Sequence, residues 1–198
     1  MLSNARQAVG RAVEPIAKAM VAAHLTANTI TVLGLAGTIA AAVFVAVGRF
    51  GIGAAFFVPS AFLDLFDGLI ARRLGTASPW GALIDSLSDR AGEGALLIAF
   101  SYRFRDLNPR LSVLAVSALV LSYLVSYVKA RAESLGFRCE GGFAERPERA
   151  ILYGTALLIV GAAEPAMWAL ALLAGWTAAQ RILMVRAQAR PATAVPPP

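Results

Sequence analysis

The chain has 198 residues, 58% of them hydrophobic and 15% charged, with a mean hydropathy of +0.67. So apolar a composition excludes an ordinary soluble domain and points to an integral membrane protein. The net charge of +6 would suit nucleic acid in a soluble protein, but here anionic lipid and the positive-inside bias account for it, and no nucleic-acid partner is expected.

In residues 3–23, Arg6, Arg11, Glu14 and Lys18 interrupt what would otherwise be a secretory apolar core. Val9, Val13, Ile16 and Met20 recur at helical spacing, which predicts an amphipathic helix lying on the membrane surface. His24, the only histidine, reads as an interfacial residue rather than a ligand. Six apolar segments follow at about 28–47, 52–73, 81–101, 110–133, 148–163 and 165–185, and a spanning helix needs roughly 20 such residues. Glu164-Pro165 predicts a tight turn into the sixth. The stretch RPATAVPPP reads as disordered, leaving one transmembrane domain over 1–188 and a proline-rich tail over 189–198. The expected fold is therefore all-α, with six transmembrane helices preceded by an interfacial helix. The single cysteine, Cys139, permits no intrachain disulfide and suggests no thiolate metal site. No internal repeat of the kind many secondary transporters carry is evident.

An even number of spans places both termini on one side. Of the 18 Lys and Arg residues, Arg49, Arg103, Arg105 and Arg110 fall on the opposite side and the remaining fourteen on the side of the termini. That bias predicts cytoplasmic termini and cytoplasmic access to the ends of spans two and three.

Those ends carry the chemistry. Residues 64–89 read DLFDGLIARRLGTASPWGALIDSLSD. Asp64 and Asp67 are three apart and Asp85 and Asp89 four apart, and either spacing puts both side chains on one helix face. The linker, with Gly75 and Pro79, can turn the chain so that the two pairs converge. Four carboxylates in low dielectric would repel one another by several kcal/mol, so they call for basic partners or bound cations. Oxygen-only ligation points to a hard ion such as Mg²⁺, Mn²⁺ or Ca²⁺. Interhelical hydrogen bonding or a proton or cation transport path is the competing reading of acids within a membrane.

The pattern Asp64-x2-Asp67-Gly68-x2-Ala71-Arg72-x8-Gly81-x3-Asp85-x3-Asp89 resembles the signature of the CDP-alcohol phosphotransferases, with all eight fixed positions matched. The resemblance implies six spans behind a surface helix, a homodimer, and two Mg²⁺ or Mn²⁺ ions. It also implies transfer of a phosphatidyl group from CDP-diacylglycerol to an alcohol with release of CMP. By this likeness Asp64, Asp67 and Asp85 hold one metal, Asp64, Asp85 and Asp89 hold the second, and Asp89 is also the general base. Asn28, Thr29, Ile30, Thr31, Gly68, Arg72 and Ser78 are the implied CDP-diacylglycerol contacts. Gly68 suits close approach of the nucleotide, and Arg72 suits a phosphate. The proline that often precedes the family's asparagine is replaced by Ala27. Read without the likeness, Asn28 and Thr31 are simple helix caps.

The acceptor is addressed by SYVKARAESLGFRCEGGFAERPER, residues 126–149, where Gly136, Gly141 and Gly142 predict a pliable loop. Lys129, Arg146, Arg149 and Arg181 form a set suited to an acceptor that carries its own phosphate, although headgroups would also attract such residues. The run is similar to one in the inositol-phosphate-using members of the family from actinobacteria, which implies inositol 1-phosphate as acceptor. On that reading Glu145 and Glu148 orient the arginines. The alternatives are synthesis of phosphatidylglycerophosphate and, outside enzymes, a cation or proton transporter.

Overall fold

The computed structural model describes residues 26–73, 75, 77–159 and 161–189, with backbone alone for residues 65, 67–70, 72 and 73. The expected surface helix over 3–23, His24 and the tail from residue 190 lie outside the described residues, as do the side chains of Asp67 and Arg72, while Gly68 is described by its backbone. Among the described residues every regular element is helical: α1 (Ala27–Ala46), α2 (Phe50–Arg73), α3 (Pro79–Phe104), α4 (Pro109–Ser134), α5 (Arg146–Leu158) and α6 (Ala163–Ala189). The chain divides into two compact units, Met1–Leu96 and Leu97–Pro198, and the boundary falls within α3.

Helices α1, α4 and α6 are long and apolar enough to cross a membrane, and α2 is apolar as far as Asp64. Their outward faces are as oily as their inward ones: Val113, Leu172 and Trp176 are each about two-thirds exposed. A helix apolar all round needs lipid or protein on every side, so the chain is a multi-pass membrane protein. Helices α2 and α3 have the length to span, but their polar ends carry the aspartates and arginines of the signature.

Helix α1 begins at Thr26, whose hydroxyl accepts the Thr29 N–H at 3.2 Å. The cap is thus Thr26, and neither Asn28 nor Thr31 fills that role. Thr31 instead donates to the Ala27 carbonyl at 3.0 Å within the helix. At the other end Gly48, at φ +80°, donates to Val45 O, and Arg49 donates to Phe44 O. This paired reversal uses the carbonyls that a helix end leaves without partners. Helix α4 stops the same way: Gly136 donates to Glu133 O and Phe137 to Ala132 O.

Within the first unit α1 packs along α2. The contact is built on small residues, because a Cβ on Gly37 would overlap the Ser60 hydroxyl and one on Gly53 would press on Val45 and the Ala41 carbonyl. Ser60 donates to Phe56 O at 2.8 Å, next to Pro59, which interrupts the α2 ladder because it lacks an N–H. Gly92 of α3 meets Thr38 and Leu35 of α1. In the second unit α6 packs on both α4 and α5, around Val125, Ala144, Ala174 and Ala178.

Two expectations need correction. Glu164 and Pro165 form no turn; they lie in the first turn of α6, and the chain reverses earlier, near Gly161 at φ +84°. Proline costs nothing there, since first-turn N–H groups have no partner within the helix, and the acid favours the positive helix end. The segment 136–145 is not a slack connection either. Gly136, Gly141 and Gly142 have φ of +81°, +85° and +123°, and side chains of α6 hold the loop at three levels.

Candidate active site

The first unit positions the signature acids on two helices. Asp64 belongs to α2, with its Oδ1 only 3.0 Å from where a Cβ on Gly34 would stand. Gly34 is buried, so the absent side chain is the reason the carboxylate can lie against α1. Asp67 continues the same helix one turn on, by backbone.

On α3, Asp85 has a buried Oδ1 with no hydrogen-bond partner among the described residues. A desolvated carboxylate oxygen without a partner is costly, and a hard cation is the kind of group that would take up its lone pairs. One turn later the Asp89 side chain is 9% exposed, and its Oδ2 accepts from Arg90 at 3.1 Å. Arg90 also donates to Ser86 O at 3.1 Å, which ties it to its own helix. Among the described residues no three acidic, histidine or cysteine side chains form a group that could hold an ion, and the Asp67 side chain lies outside that set.

The start of α3 meets the start of α1. Ser78 caps α3, its hydroxyl accepting the Gly81 N–H at 3.0 Å. A Cβ on Gly81 would stand 3.3 Å from the Ser78 hydroxyl and 3.5 Å from Asn28 Oδ1. Gly81 therefore lets Asn28 and Ser78, two of the implied CDP-lipid contacts, come together at one helix junction. Thr29 is exposed beside them, whereas Ile30 is fully buried and Thr31 nearly so. Gly34 was not singled out from sequence. Its signal is the Gly34-x3-Thr38 spacing in an apolar helix, the small-residue pattern that lets membrane helices approach closely.

The second unit holds the basic residues. Lys129, half-exposed on α4, faces Glu133 at 3.9 Å, and Arg146 is half-buried at the start of α5. Arg149 and Arg181 are each only 3% exposed. Arg149 donates from one terminal nitrogen to Ala144 O at 3.0 Å. Arg181 donates to Gly141 O from two nitrogens, at 3.2 and 3.0 Å, and to Val125 O at 2.8 Å, with Glu145 at 3.8 Å. Both guanidiniums thus grip backbone of a single loop, and Glu145 stands beside one of them. Glu148 lies in the first turn of α5, one residue from Arg149.

Residues 24–185 match the CDP-alcohol phosphatidyltransferase family. The phosphatidylinositol phosphate synthase of Mycolicibacterium smegmatis is 38% identical over 192 residues, covering 87% of this chain and 82% of that protein. The crystal structure of the Mycobacterium tuberculosis phosphatidylinositol phosphate synthase with CDP-DAG bound aligns with a TM-score of 0.79 at 32% identity, over 88% of this chain and 94% of that one. The structure of the same synthase in complex with manganese and citrate gives a TM-score of 0.79 at 32% identity, over 87% and 88% of the two chains. The chain belongs to the CDP-alcohol phosphatidyltransferase family.

Proposed function

We propose that this family member transfers the phosphatidyl group of CDP-diacylglycerol to 1D-myo-inositol 1(3)-phosphate, giving phosphatidylinositol phosphate and CMP. The observation that carries the acceptor assignment is the pair of deeply buried guanidiniums, Arg149 and Arg181, on one loop of the second unit. Burying cations is costly unless they are well bonded and useful, and a planar fork suits phosphate. Among the described residues Arg181 spends three of its five N–H donors on carbonyls and has Glu145 3.8 Å from one terminal nitrogen. Its fork is thus fixed in place with its charge only partly matched, which suits a phosphate. Lys129 and Arg146 add charge for the same anion. The relatives named for this synthesis support the choice of inositol phosphate.

The donor half rests on the signature. By the family signature Asn28, Thr29, Ile30, Thr31, Gly68, Arg72 and Ser78 contact CDP-diacylglycerol. Of these Asn28, Thr29 and Ser78 are exposed, with Gly81 opening the junction between Asn28 and Ser78, whereas Ile30 and Thr31 are buried and support that helix start from within. By the same signature, Asp64, Asp67 and Asp85 would hold one Mg²⁺ and Asp64, Asp85 and Asp89 a second, with Mn²⁺ able to replace either. Asp64, Asp85 and Asp89 do not form an ion-holding group in this structure and would have to draw together around the ion. An all-carboxylate donor set and a buried Asp85 oxygen without a hydrogen-bond partner among the described residues fit hard divalent ions. Bound there, such ions supply positive charge opposite the diphosphate. Asp89 takes the proton of the acceptor hydroxyl as its oxygen bonds to the lipid phosphorus and the bond from phosphorus to the CMP oxygen breaks. Arg90 fixes the rotamer of that carboxylate. The protein works as a homodimer in the plasma membrane, with its termini and active site toward the cytoplasm, the side that the basic residues favour.

An acceptor screen tests this reading. Purified protein with CDP-diacylglycerol and Mg²⁺ is offered inositol 1-phosphate, glycerol 3-phosphate, free inositol or serine, and CMP release is measured. Release with inositol 1-phosphate is expected. Silence with it and turnover with glycerol 3-phosphate would move the assignment to phosphatidylglycerophosphate synthesis.

A further inference from the structure

We infer that Thr177 is a positioning residue for the acceptor phosphate, acting through the Ala144 peptide on Arg149. The inference rests on the reading of Arg149 and Arg181 as the phosphate's ligands.

The Thr177 side chain is fully buried on α6, one turn before Arg181, so both residues present to the same side of the helix. Its hydroxyl oxygen accepts the Ala144 N–H at 3.0 Å, in a buried bond. The carbonyl of the same Ala144 accepts from Arg149 at 3.0 Å, also buried. The N–H belongs to the peptide before Ala144 Cα and the carbonyl to the one after it. The Thr177 bond therefore sets the height and tilt of the residue on which the guanidinium hangs.

The threonine methyl adds a second restraint. Gly142 sits at φ +123°, and a Cβ there would overlap the Thr177 methyl, so loop and side chain are in close contact on that side too. Arg181 holds the same loop at Gly141, and Gln188 pairs with both the N–H and the carbonyl of Arg138, at 3.0 and 2.7 Å. Three residues of α6 thus fasten one loop, and the Thr177 fastening leads through a carbonyl to a second cation, Arg149. Replacing its oxygen leaves the Ala144 N–H buried without a partner, which favours rotation of that segment and with it the Ala144 carbonyl.

The test is steady-state kinetics on the full chain in detergent, reading CMP release while each substrate is varied. Thr177→Val keeps the shape and removes the acceptor oxygen. It is expected to raise the KM for inositol 1-phosphate by about tenfold, with the CDP-diacylglycerol KM and kcat within about twofold of wild type. Thr177→Ser restores the oxygen and is expected to recover the acceptor KM. Equal rises in both KM values, or a serine variant as impaired as valine, would overturn the inference. Thr177→Ala, judged by the same split, takes valine's place where valine does not give monodisperse protein. Arg149→Ala separates the two levels of the argument. If it leaves the acceptor KM unchanged, the ligand reading itself fails. If it raises that KM while Thr177→Val does not, only the positioning role fails.

Discussion

Gly34→Ala places a methyl 3.0 Å from Asp64 Oδ1 and 3.5 Å from the Ser60 carbonyl. The carbonyl belongs to helix backbone and cannot retreat, so the carboxylate must yield by a few tenths of an ångström. Such a shift is small for packing but large for a hard ion, since Mg²⁺ tolerates little departure from oxygen distances of about 2.0–2.1 Å. The expected result is a rise of about tenfold in the Mg²⁺ concentration that gives half-maximal CMP release. A cost of about 1–3 kcal/mol in stability accompanies it, as for other added methyl groups in close packing. Gly37→Ala, three residues on, is the control. Its methyl overlaps the Ser60 hydroxyl, which is engaged with Phe56 O and is not a signature acid. That variant is expected to lose stability without a change in ion requirement, and Ser60→Ala added to it should restore part of the loss. The assay is CMP release against Mg²⁺ concentration, with thermal unfolding in detergent alongside. Equal ion requirements for Gly34→Ala and wild type, within twofold, would refute the argument that Gly34 makes room for a metal-binding carboxylate.

Asp89→Asn retains shape and the capacity to accept from Arg90 but loses basicity, so turnover should fall by at least about a hundredfold with thermal stability preserved; substantial residual activity would exclude it as the base. Gly81→Ala brings a methyl to 3.3 Å from the Ser78 hydroxyl and 3.5 Å from Asn28, and is expected to raise the KM for CDP-diacylglycerol more than that for the acceptor. Ser122 on α4 is fully buried and its hydroxyl has no hydrogen-bond partner among the described residues, so Ser122→Ala should leave stability equal or higher by up to about 1 kcal/mol; a clear drop in the unfolding midpoint would contradict that.

The helices were legible because each is written locally. Apolar runs mark α1, α4 and α6, and Asn108-Pro109 and Ser78-Pro79 announce the starts of α4 and α3 by type alone. Ala27 occupies the first helical position of α1, where the family's proline would fit equally well, so that departure leaves the turn intact. What could not be read locally was the partner of a residue far along the chain. Nothing near Gly141 says that its carbonyl meets Arg181, 40 residues on, and nothing near Asn28 says that it faces Gly81. For that reason the loop read as pliable and Asn28 as a cap. The aspartates were evident as a constellation from their spacing, but Gly34, which admits one of them, carries no chemistry of its own and shows only as a small residue in a suitable register.

The fastening of loop 138–145 by Thr177, Arg181 and Gln188 also sets an order of assembly. Every one of those fasteners lies in α6, and between Gly141 and Arg181 a ribosome needs roughly 2–8 s at ordinary elongation rates. During that interval the loop has been made but its clasp has not. Arg149 and the Ala144 peptide must wait, solvated or held by the insertion machinery, until the helix that completes them arrives. The half of this protein proposed to take the acceptor is thus finished late in its own synthesis, and a ribosome stalled before α6 would leave a chain with the aspartate signature written and the basic loop unfastened.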